Sequence, residues 1–216
     1  MIDRSALRAS LTDGLRALGL ALDADACERL LDYVALLERW NAAYNLTAVR
    51  DPREMVARHL LDSLAVLPHL ATGSLADLGS GAGLPGIPIA IAQRGRRVVL
   101  VESNGKKARF LRECVRALPL PNVEVAEVRA ERGGAAPTDA AIARALATLE
   151  ALCGYAEPWV ADGGSLYAMK GPGYEPELAE LPAGWRHEAT RALSVPGLDA
   201  GRWLVVLKRS AGPPRA

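Results

Sequence analysis

The chain has 216 residues, of which half are apolar and 24% are charged, and its formal net charge is +1 at pH 7. This composition excludes a disordered chain and fits one domain, or one domain with an extension. Because the net charge is close to zero, a nucleic-acid partner would have to bind a local basic patch. The three cysteines and three histidines are scattered and form no CxxC pair, so they favour neither a disulfide framework nor a metal site.

The opening residues MIDRSALRAS lack the apolar core of a signal peptide. No apolar run approaches the length of a membrane span. We therefore expect a soluble, reduced protein of the cytoplasm. Separately, we expect a monomer that holds no metal.

Residues 1–70 are predicted to form a helical segment. In the first helix four leucines repeat at helical spacing and a glycine follows as the C-terminal residue: Leu7, Leu11, Leu15, Leu18 and Gly19. A second helix should begin near Asp25, with Glu28 in the capping-box position. The third has the clearest start, because Asp51 can cap it, Pro52 suits its first turn and Glu54 follows.

From Gly73 onward short apolar runs alternate with helical stretches, which is typical of βαβ units with a mostly parallel sheet. The last two strands, RHEATRALSV and RWLVVLKR, are joined by the turn PGLDAG and predict an antiparallel hairpin. We expect an α/β catalytic domain over residues 71–209, preceded by the helical segment and followed by a tail at 210–216.

The stretch LADLGSGAGLPGIP at 75–88 follows a predicted strand and precedes a helix, where an open α/β sheet binds its ligand. A phosphate-binding P-loop would need GxxxxGK[ST], and no such lysine follows. A dinucleotide GxGxxG pattern starting at Gly79 would meet Leu84 instead of its third glycine. Pro85 and Pro88 also lack the N–H groups that a pyrophosphate would use, which weakens this alternative without excluding it.

The third alternative is DxGxGxG, formed by Asp77, Gly79, Gly81 and Gly83. It suits S-adenosylmethionine, because an acidic side chain can bind the ammonium and close backbone N–H groups can bind the carboxylate. Glu102 ends the next strand, about twenty residues on, where a carboxylate binds ribose hydroxyls. A tight turn beside a solvated glutamate is the structural alternative.

Several segments closely resemble the ribosomal RNA small-subunit methyltransferase G family, also called glucose-inhibited division protein B. They are RWNAAYNLTAVRDPREMVARHLLDSL, DLGSGAGLPGIPIAI, ESNGKKARFL, RAE at 129–131, ARALA at 143–147 and YAMKG at 167–171. The resemblance implies a seven-stranded class I methyltransferase sheet. It also implies methyl transfer from S-adenosylmethionine to N7 of guanine 527 in 16S rRNA of the small subunit.

Carried over residue by residue, the resemblance assigns cofactor contacts to the glycine loop with Leu84, to Ala130 and Glu131 around the adenine, and to Arg144. The second-strand acid is glutamate here, where the family more often has aspartate. Arg144 is expected to orient the cofactor or guanine O6, without acting as a base.

Outside the cofactor loop, the role of each polar residue has two interpretations. Asn45, with Asn41 one turn before it, either ends its helix or forms a wall over the guanine. His59 is either a buried core histidine or a catalytic one, and Arg58 and Asp62 are expected to form an ordinary (i, i+4) pair. Lys170, in a Gly-Pro-Gly turn, either has no ligand or contacts an RNA phosphate or guanine O6. With Arg144, Asn45 and Lys170 are our candidates for positioning groups in catalysis.

Eight Lys and Arg residues, against two Glu, lie between Arg94 and Arg116 and are either a solvated helix face or an RNA-binding patch, which Arg50, Arg53 and Arg58 would extend. Guanine N7 carries no proton, so no acid–base pair is needed. A nicotinamide oxidoreductase, a small-molecule methyltransferase and a non-enzymatic S-adenosylmethionine sensor are the rival functions.

Overall fold

The computed structural model describes residues 3–134 and 136–211. The chain begins with two long helices, α1 (Arg4–Ala17) and α2 (Ala24–Tyr44). Asp3 and Asp23 cap them by accepting hydrogen bonds from backbone N–H groups of the first turn. The second helix therefore begins at Ala24, one residue before the Asp25 start that its sequence suggested, and its cap is Asp23.

A third helical stretch changes its winding along its length. It starts as α3 (Pro52–Met55), capped by Asp51 as predicted, continues as a π-helix (Val56–Leu61) and ends as α4 (Asp62–Leu64). A short 3₁₀ turn (Leu67–His69) follows. The π-helix was not predicted from the sequence; such segments are frequent at functional sites.

The remainder of the described chain forms a seven-stranded sheet with helices on both faces, as predicted. The strands are β1 (Leu75–Leu78), β2 (Val98–Val101), β3 (Val123–Ala126), β4 (Thr138–Arg144), β5 (Val160–Lys170), β6 (Trp185–Leu193) and β7 (Arg202–Arg209). The helices between them are α5 (Gly86–Ala92), α6 (Gly105–Ala117) and α7 (Leu149–Ala156), with 3₁₀ turns at Ala130–Arg132 and Glu175–Glu180.

The strand order is β3-β2-β1-β4-β5-β7-β6. Strands β1 to β5 pair in parallel, whereas β7 pairs antiparallel with both β5 and β6, which confirms the hairpin. Because β7 runs backwards, its first residues lie beside the carboxyl end of β5, with Trp203 opposite Lys170. Residues 202 onward therefore reach the same sheet edge as the glycine loop.

The N-terminal helices pack into the sheet domain. Buried leucines of α1 and α2, such as Leu11 and Leu30, belong to the same apolar cluster as Leu75 of β1, Ile87 of α5 and Leu100 of β2. A second cluster fills the opposite face of the sheet. The N-terminal helices are thereby fixed against the same face of the sheet as α5, the helix that follows the glycine loop.

Two further sequence-based expectations concern the C-terminal tail and membrane-spanning helices. Residues 212–216, most of the expected tail, lie outside the described residues. Within the described part of the chain, no helix combines the length and the apolar character that crossing a bilayer requires.

Candidate active site

The glycine loop links β1 to α5 at the carboxyl edge of the sheet. Gly79, Gly81 and Gly83 all have positive φ, at +64°, +57° and +91°, which L side chains rarely adopt. A Cβ on Gly83 would lie 2.5 Å from Ile87, so Gly83 lets the loop pack on α5. A Cβ on Gly81 would meet only the Gly79 carbonyl, at 3.8 Å, so this glycine leaves open space for a ligand.

Glu102, at the end of β2, is tied to the loop. Its Oε2 accepts a hydrogen bond from Gly81 N at 2.9 Å, and its Oε1 accepts one from Asn104 N at 2.8 Å. An ionised carboxylate has about four acceptor sites, so two remain for ribose hydroxyls. The predicted acid and the predicted loop therefore meet in space.

Asp77 lies beneath the loop and is fully buried. Its Oδ2 accepts a hydrogen bond from Gly86 N at 3.0 Å, at the start of α5. Among the described residues its Oδ1 has no hydrogen-bond partner. Burial raises the pKa of Asp77 to about 7, although the hydrogen bond from Gly86 N and the positive charge of Arg144 act in the opposite direction. Asp77 is thus an acidic group held beneath the loop. It does not line either of the two cavities that have Gly79 in their walls.

A cavity of about 270 Å³ opens beside Glu102. Its walls include the predicted adenine pair, Ala130 and Glu131, and also Leu146 and Tyr155, which sequence reasoning missed. Leu146 is 39% exposed, and a Cβ on Gly79 would meet its methyl group at 2.7 Å. This cavity, which combines a carboxylate with apolar and aromatic side chains, is called here the adenosine cavity after the predicted adenine pair in its wall.

A larger cavity of about 490 Å³ lies on the other side of Gly79 and is called here the main cavity. The glycine loop forms one wall with Gly81 and Leu84. The opposite wall comes from the loop after α2, which contributes Leu46, Thr47 and Val49. Charged side chains line the rest: Arg58, Asp62, Arg144, Lys170 and Arg202.

Arg144 ends β4 and points towards the N-terminal helices. Its Nη1 donates to Asp62 Oδ2 at 2.9 Å and to the Arg58 carbonyl at 3.1 Å. Arg202 Nε donates to the other oxygen of Asp62 at 3.3 Å. The expected Arg58–Asp62 pair is wrong: Arg58 pairs with Glu54 at 3.3 Å, and Asp62 is turned into the cavity.

Arg202 was not predicted as a site residue. The signal that could have found it is the hairpin, because the first residue of an antiparallel last strand returns to the carboxyl edge of its parallel neighbours.

Lys170 lines the main cavity at the end of β5, and its ammonium already has partners. Nζ donates to Glu177 Oε2 at 2.7 Å and to the Ala147 carbonyl at 2.9 Å. Glu177 also accepts from Leu149 N, at the start of α7. The lysine thus holds the segment between β4 and α7 in place.

Asn45 is the C-cap of α2, with a left-handed backbone (φ +51°), and its side chain accepts from Arg50 at 2.7 Å. It is exposed and is not part of the cavity wall. The buried Asn41 arranges that wall: its Oδ1 accepts from Thr47 N and its Nδ2 donates to the Val49 carbonyl. Helix termination therefore accounts for Asn45 in this structure.

His59, in the π-helix, is buried and faces the main cavity. Its Nε2 lies 2.9 Å from Thr47 Oγ1, and Nδ1 has no partner among the described residues. Burial lowers the pKa of His59 to about 4, so the ring is neutral at physiological pH.

The basic cluster between Arg94 and Arg116 divides in two. Arg94, Arg96 and Arg97 precede β2 at the amino edge of the sheet, away from both cavities. In α6, Arg112 and Arg116 pair with Glu127 and Glu113. Within the described ranges, three residues at the start of α6 have no acidic partner: Lys106, Lys107 and Arg109. They are named here the α6 basic patch. Lys107 also lines the adenosine cavity.

Solved methyltransferase structures share this fold. Coclaurine N-methyltransferase matches with a TM-score of 0.55 at 15% identity, over 90% of this chain and 69% of that one. TrmN from Thermus thermophilus matches with a TM-score of 0.52 at 16% identity, over 71% of this chain and 53% of that one. At such identities the likeness concerns the fold alone.

The sequence comparisons are more specific. The chain is 55% identical over 202 residues to ribosomal RNA small subunit methyltransferase G of Xanthomonas campestris pv. campestris (strain 8004), covering 93% of this chain and 94% of that relative. It is 55% identical over 204 residues to the protein of the same name from Stenotrophomonas maltophilia (strain K279a), covering 94% and 95%. Residues 26–205 match the model of the family rRNA small subunit methyltransferase G. The chain therefore belongs to the rRNA small subunit methyltransferase G family.

Proposed function

We propose that the chain transfers a methyl group from S-adenosylmethionine to N7 of guanine 527 in 16S rRNA, with the cofactor across both cavities and the guanine in the main cavity. The observation that supports this reaction is family membership over residues 26–205. The adenosine and main cavities, which share Gly79 in their walls, offer space for the two reactants.

The residues present fit S-adenosylmethionine. Gly81 leaves space where any side chain would intrude, and Glu102 keeps free acceptor sites beside the adenosine cavity. We assign adenine contacts to Ala130 and Glu131, and backbone contacts to the glycine loop and Leu84. When bound, the cofactor supplies a methyl group activated on a sulfonium.

The protein's own contribution to the reaction is positioning. Guanine N7 has a lone pair and no proton, so the reaction requires no general base. His59, whose low pKa makes its ring a weak base, and Lys170, which is already paired, fit a site without one. Holding two reactants in line can lower a barrier by about 7–11 kcal/mol. Arg144 is proposed to orient the guanine or the cofactor through the N–H groups that Asp62 and the Arg58 carbonyl do not use.

A guanine within folded rRNA must be unstacked before N7 can reach the main cavity. We propose that the wall of Leu46, Thr47 and Val49 holds the base and that the α6 basic patch binds the RNA backbone. The wall is apolar at Leu46 and Val49 and polar at Thr47, which suits a flat base with polar edges.

The remaining sequence expectations stay proposals as well. We propose that the chain acts as a monomer in the cytoplasm, on the small ribosomal subunit or its RNA, with residues 1–70 as a helical segment and 71–209 as the catalytic domain. Light scattering behind a sizing column tests the monomer.

The function is tested by transfer of labelled methyl from S-adenosylmethionine to unmodified 16S rRNA and to unmodified small subunits. The modified base is located by chain cleavage specific for N7-methylguanine. We expect one cleavage, at position 527. Cofactor binding without transfer to either RNA would contradict the proposal and favour a small-molecule substrate.

A further inference from the structure

Asp62 is a buried carboxylate at the centre of the main cavity wall. Its residue is only 3% exposed, and it is the one acidic residue among the described residues that line this cavity. A buried carboxylate needs compensating partners, because its desolvation costs several kcal/mol. Its role was misread from the sequence, where a local pair with Arg58 was expected.

Each carboxylate oxygen of Asp62 accepts a hydrogen bond from a different arginine. Oδ2 accepts from Arg144 and Oδ1 accepts from Arg202, at 2.9 and 3.3 Å. These partners come from the end of β4 and the start of β7, whereas Asp62 begins α4. One side chain thus joins the N-terminal helices to two strand ends of the sheet.

The bridge fixes the planes of both guanidinium groups. Arg144 uses Nη1 for Asp62 and the Arg58 carbonyl, and Arg202 uses Nε for Asp62 and Nη1 for the Gly201 carbonyl. A guanidinium is planar with five donors in a fixed fork, so anchoring part of it orients the rest. The described hydrogen bonds leave Nη2 of each arginine unused at the cavity wall.

Among the described residues, Asp62 is the one carboxylate paired with Arg144 and with Arg202. The charge of Lys170 is matched by Glu177, and that of Arg58 by Glu54. Without Asp62 the two guanidiniums would repel each other and would be free to turn. The cavity would also carry more positive charge where a methyl leaves a sulfonium and arrives on a base that becomes cationic.

We propose that Asp62 is a positioning residue for methyl transfer: it acts through Arg144 and Arg202, holding their free N–H groups in the orientation that the reacting nucleotide and cofactor require. This inference rests on the proposed function.

The test measures kcat, the KM for unmodified small subunits and the Kd of S-adenosylmethionine for wild type, Asp62→Asn, Arg202→Gln and the double variant. Asp62→Asn is expected to lower kcat by about 10- to 100-fold, the range that a misplaced catalytic group costs. The Kd of S-adenosylmethionine should change by less than about threefold. Because Asp62 acts through Arg202, the loss in the double variant should fall short of the product of the two single losses by at least about fivefold.

The outcomes separate this inference from the function on which it rests. Absence of wild-type transfer to guanine 527 would contradict the proposed function. Wild-type transfer together with an unchanged kcat in Asp62→Asn, or with strictly multiplicative losses in the double variant, would overturn the positioning role alone.

Asp13→Asn is the matched control, since it makes the same change in an exposed arginine pair on α1, outside both cavities, and should change none of the three constants. Circular dichroism shows whether each variant folds. If Asp62→Asn does not fold, the same cycle is measured with Asp62→Glu, which keeps the buried charge and displaces the carboxylate by one methylene. We then expect a kcat loss in Asp62→Glu, and an unchanged kcat would overturn the inference.

Discussion

The adenosine cavity and the main cavity share Gly79 but are built in different ways. The adenosine cavity comes from segments that follow β1, β2 and β3, together with Leu146 and Tyr155. The main cavity combines the glycine loop with a helix-terminal loop, a π-helix and the ends of β4, β5 and β7. The first is a product of the sheet, whereas the second exists only where the N-terminal helices meet it.

This difference teaches how such an enzyme divides its work. In the function proposed above, a cofactor common to many enzymes is bound largely by backbone groups and one carboxylate, which any sheet of this type can present. The substrate side depends on long side chains that must be held by ion pairs such as Asp62 with Arg144. The following four predictions test whether the two sides are as separable as the geometry indicates.

The largest effect is expected from Gly81→Val. The valine would adopt φ +57°, which costs about 1–2 kcal/mol, and its side chain would occupy space meant for the cofactor. Isothermal titration should show a loss of S-adenosylmethionine affinity on the order of 100-fold, or about 3 kcal/mol. Gly154→Ala, at an open position of α7, is the control and should bind normally. Retained affinity in Gly81→Val would place the cofactor elsewhere.

Arg144→Ala should act on the other side of the comparison. We expect kcat to fall by about 100-fold, because the variant loses the guanidinium that is proposed to orient the guanine or the cofactor. The Kd of S-adenosylmethionine should rise by less than about tenfold, since the adenosine cavity is intact. Single-turnover transfer and equilibrium binding measure the two quantities, with the exposed Arg191→Ala as control. Unchanged affinity together with unchanged turnover would remove Arg144 from the site.

Asp77, beneath the glycine loop, and His59, in the wall of the main cavity, should make the free energy of unfolding change with pH in opposite directions. The folded pKa of Asp77, about 7, lies above its ordinary 3.8, so its contribution to stability is lost as pH rises towards 7. The folded pKa of His59, about 4, lies below 6.5, so its contribution is lost as pH falls towards 4. Between pH 5 and 6.5 each contributes a change on the order of 2 kcal/mol, and the two oppose each other.

Urea unfolding at pH 5 and pH 6.5 separates these contributions. Asp77→Asn should make the free energy of unfolding rise more steeply with pH than in wild type, and His59→Gln should make it fall with pH. The same pH dependence in all three proteins would contradict both assignments.

The smallest effect is expected at the α6 basic patch. Replacing Lys106 and Lys107 by glutamine should raise the KM for small subunits by about threefold and reduce the salt dependence of RNA binding by about one unit of slope per phosphate contact. Arg97→Gln, at the amino edge of the sheet, should have no such effect. Equal effects of both changes would show that the RNA does not distinguish the two edges.

The sequence by itself determined much of the fold and the cofactor side. Alternating apolar segments predicted the parallel sheet and the hairpin. The spacing from the glycine loop to Glu102 predicted that acid as a partner of the loop's ligand, and Glu102 lies beside the loop, where it accepts a hydrogen bond from Gly81 N. These features depend on local periodicity and on the rule that the carboxyl ends of parallel strands lie at one edge of the sheet. They can therefore be predicted from the sequence.

Only the tertiary structure decided the substrate side. Asp62 meets partners 82 and 140 residues away, a distance in sequence at which no local pattern predicts contact. The pairing of Lys170 with Glu177, the role of Asn45 as a cap and the division of the basic cluster likewise follow from packing. Long polar side chains can pair with several partners at similar energy. The packing of the N-terminal helices against the sheet decides which partner lies within hydrogen-bond distance.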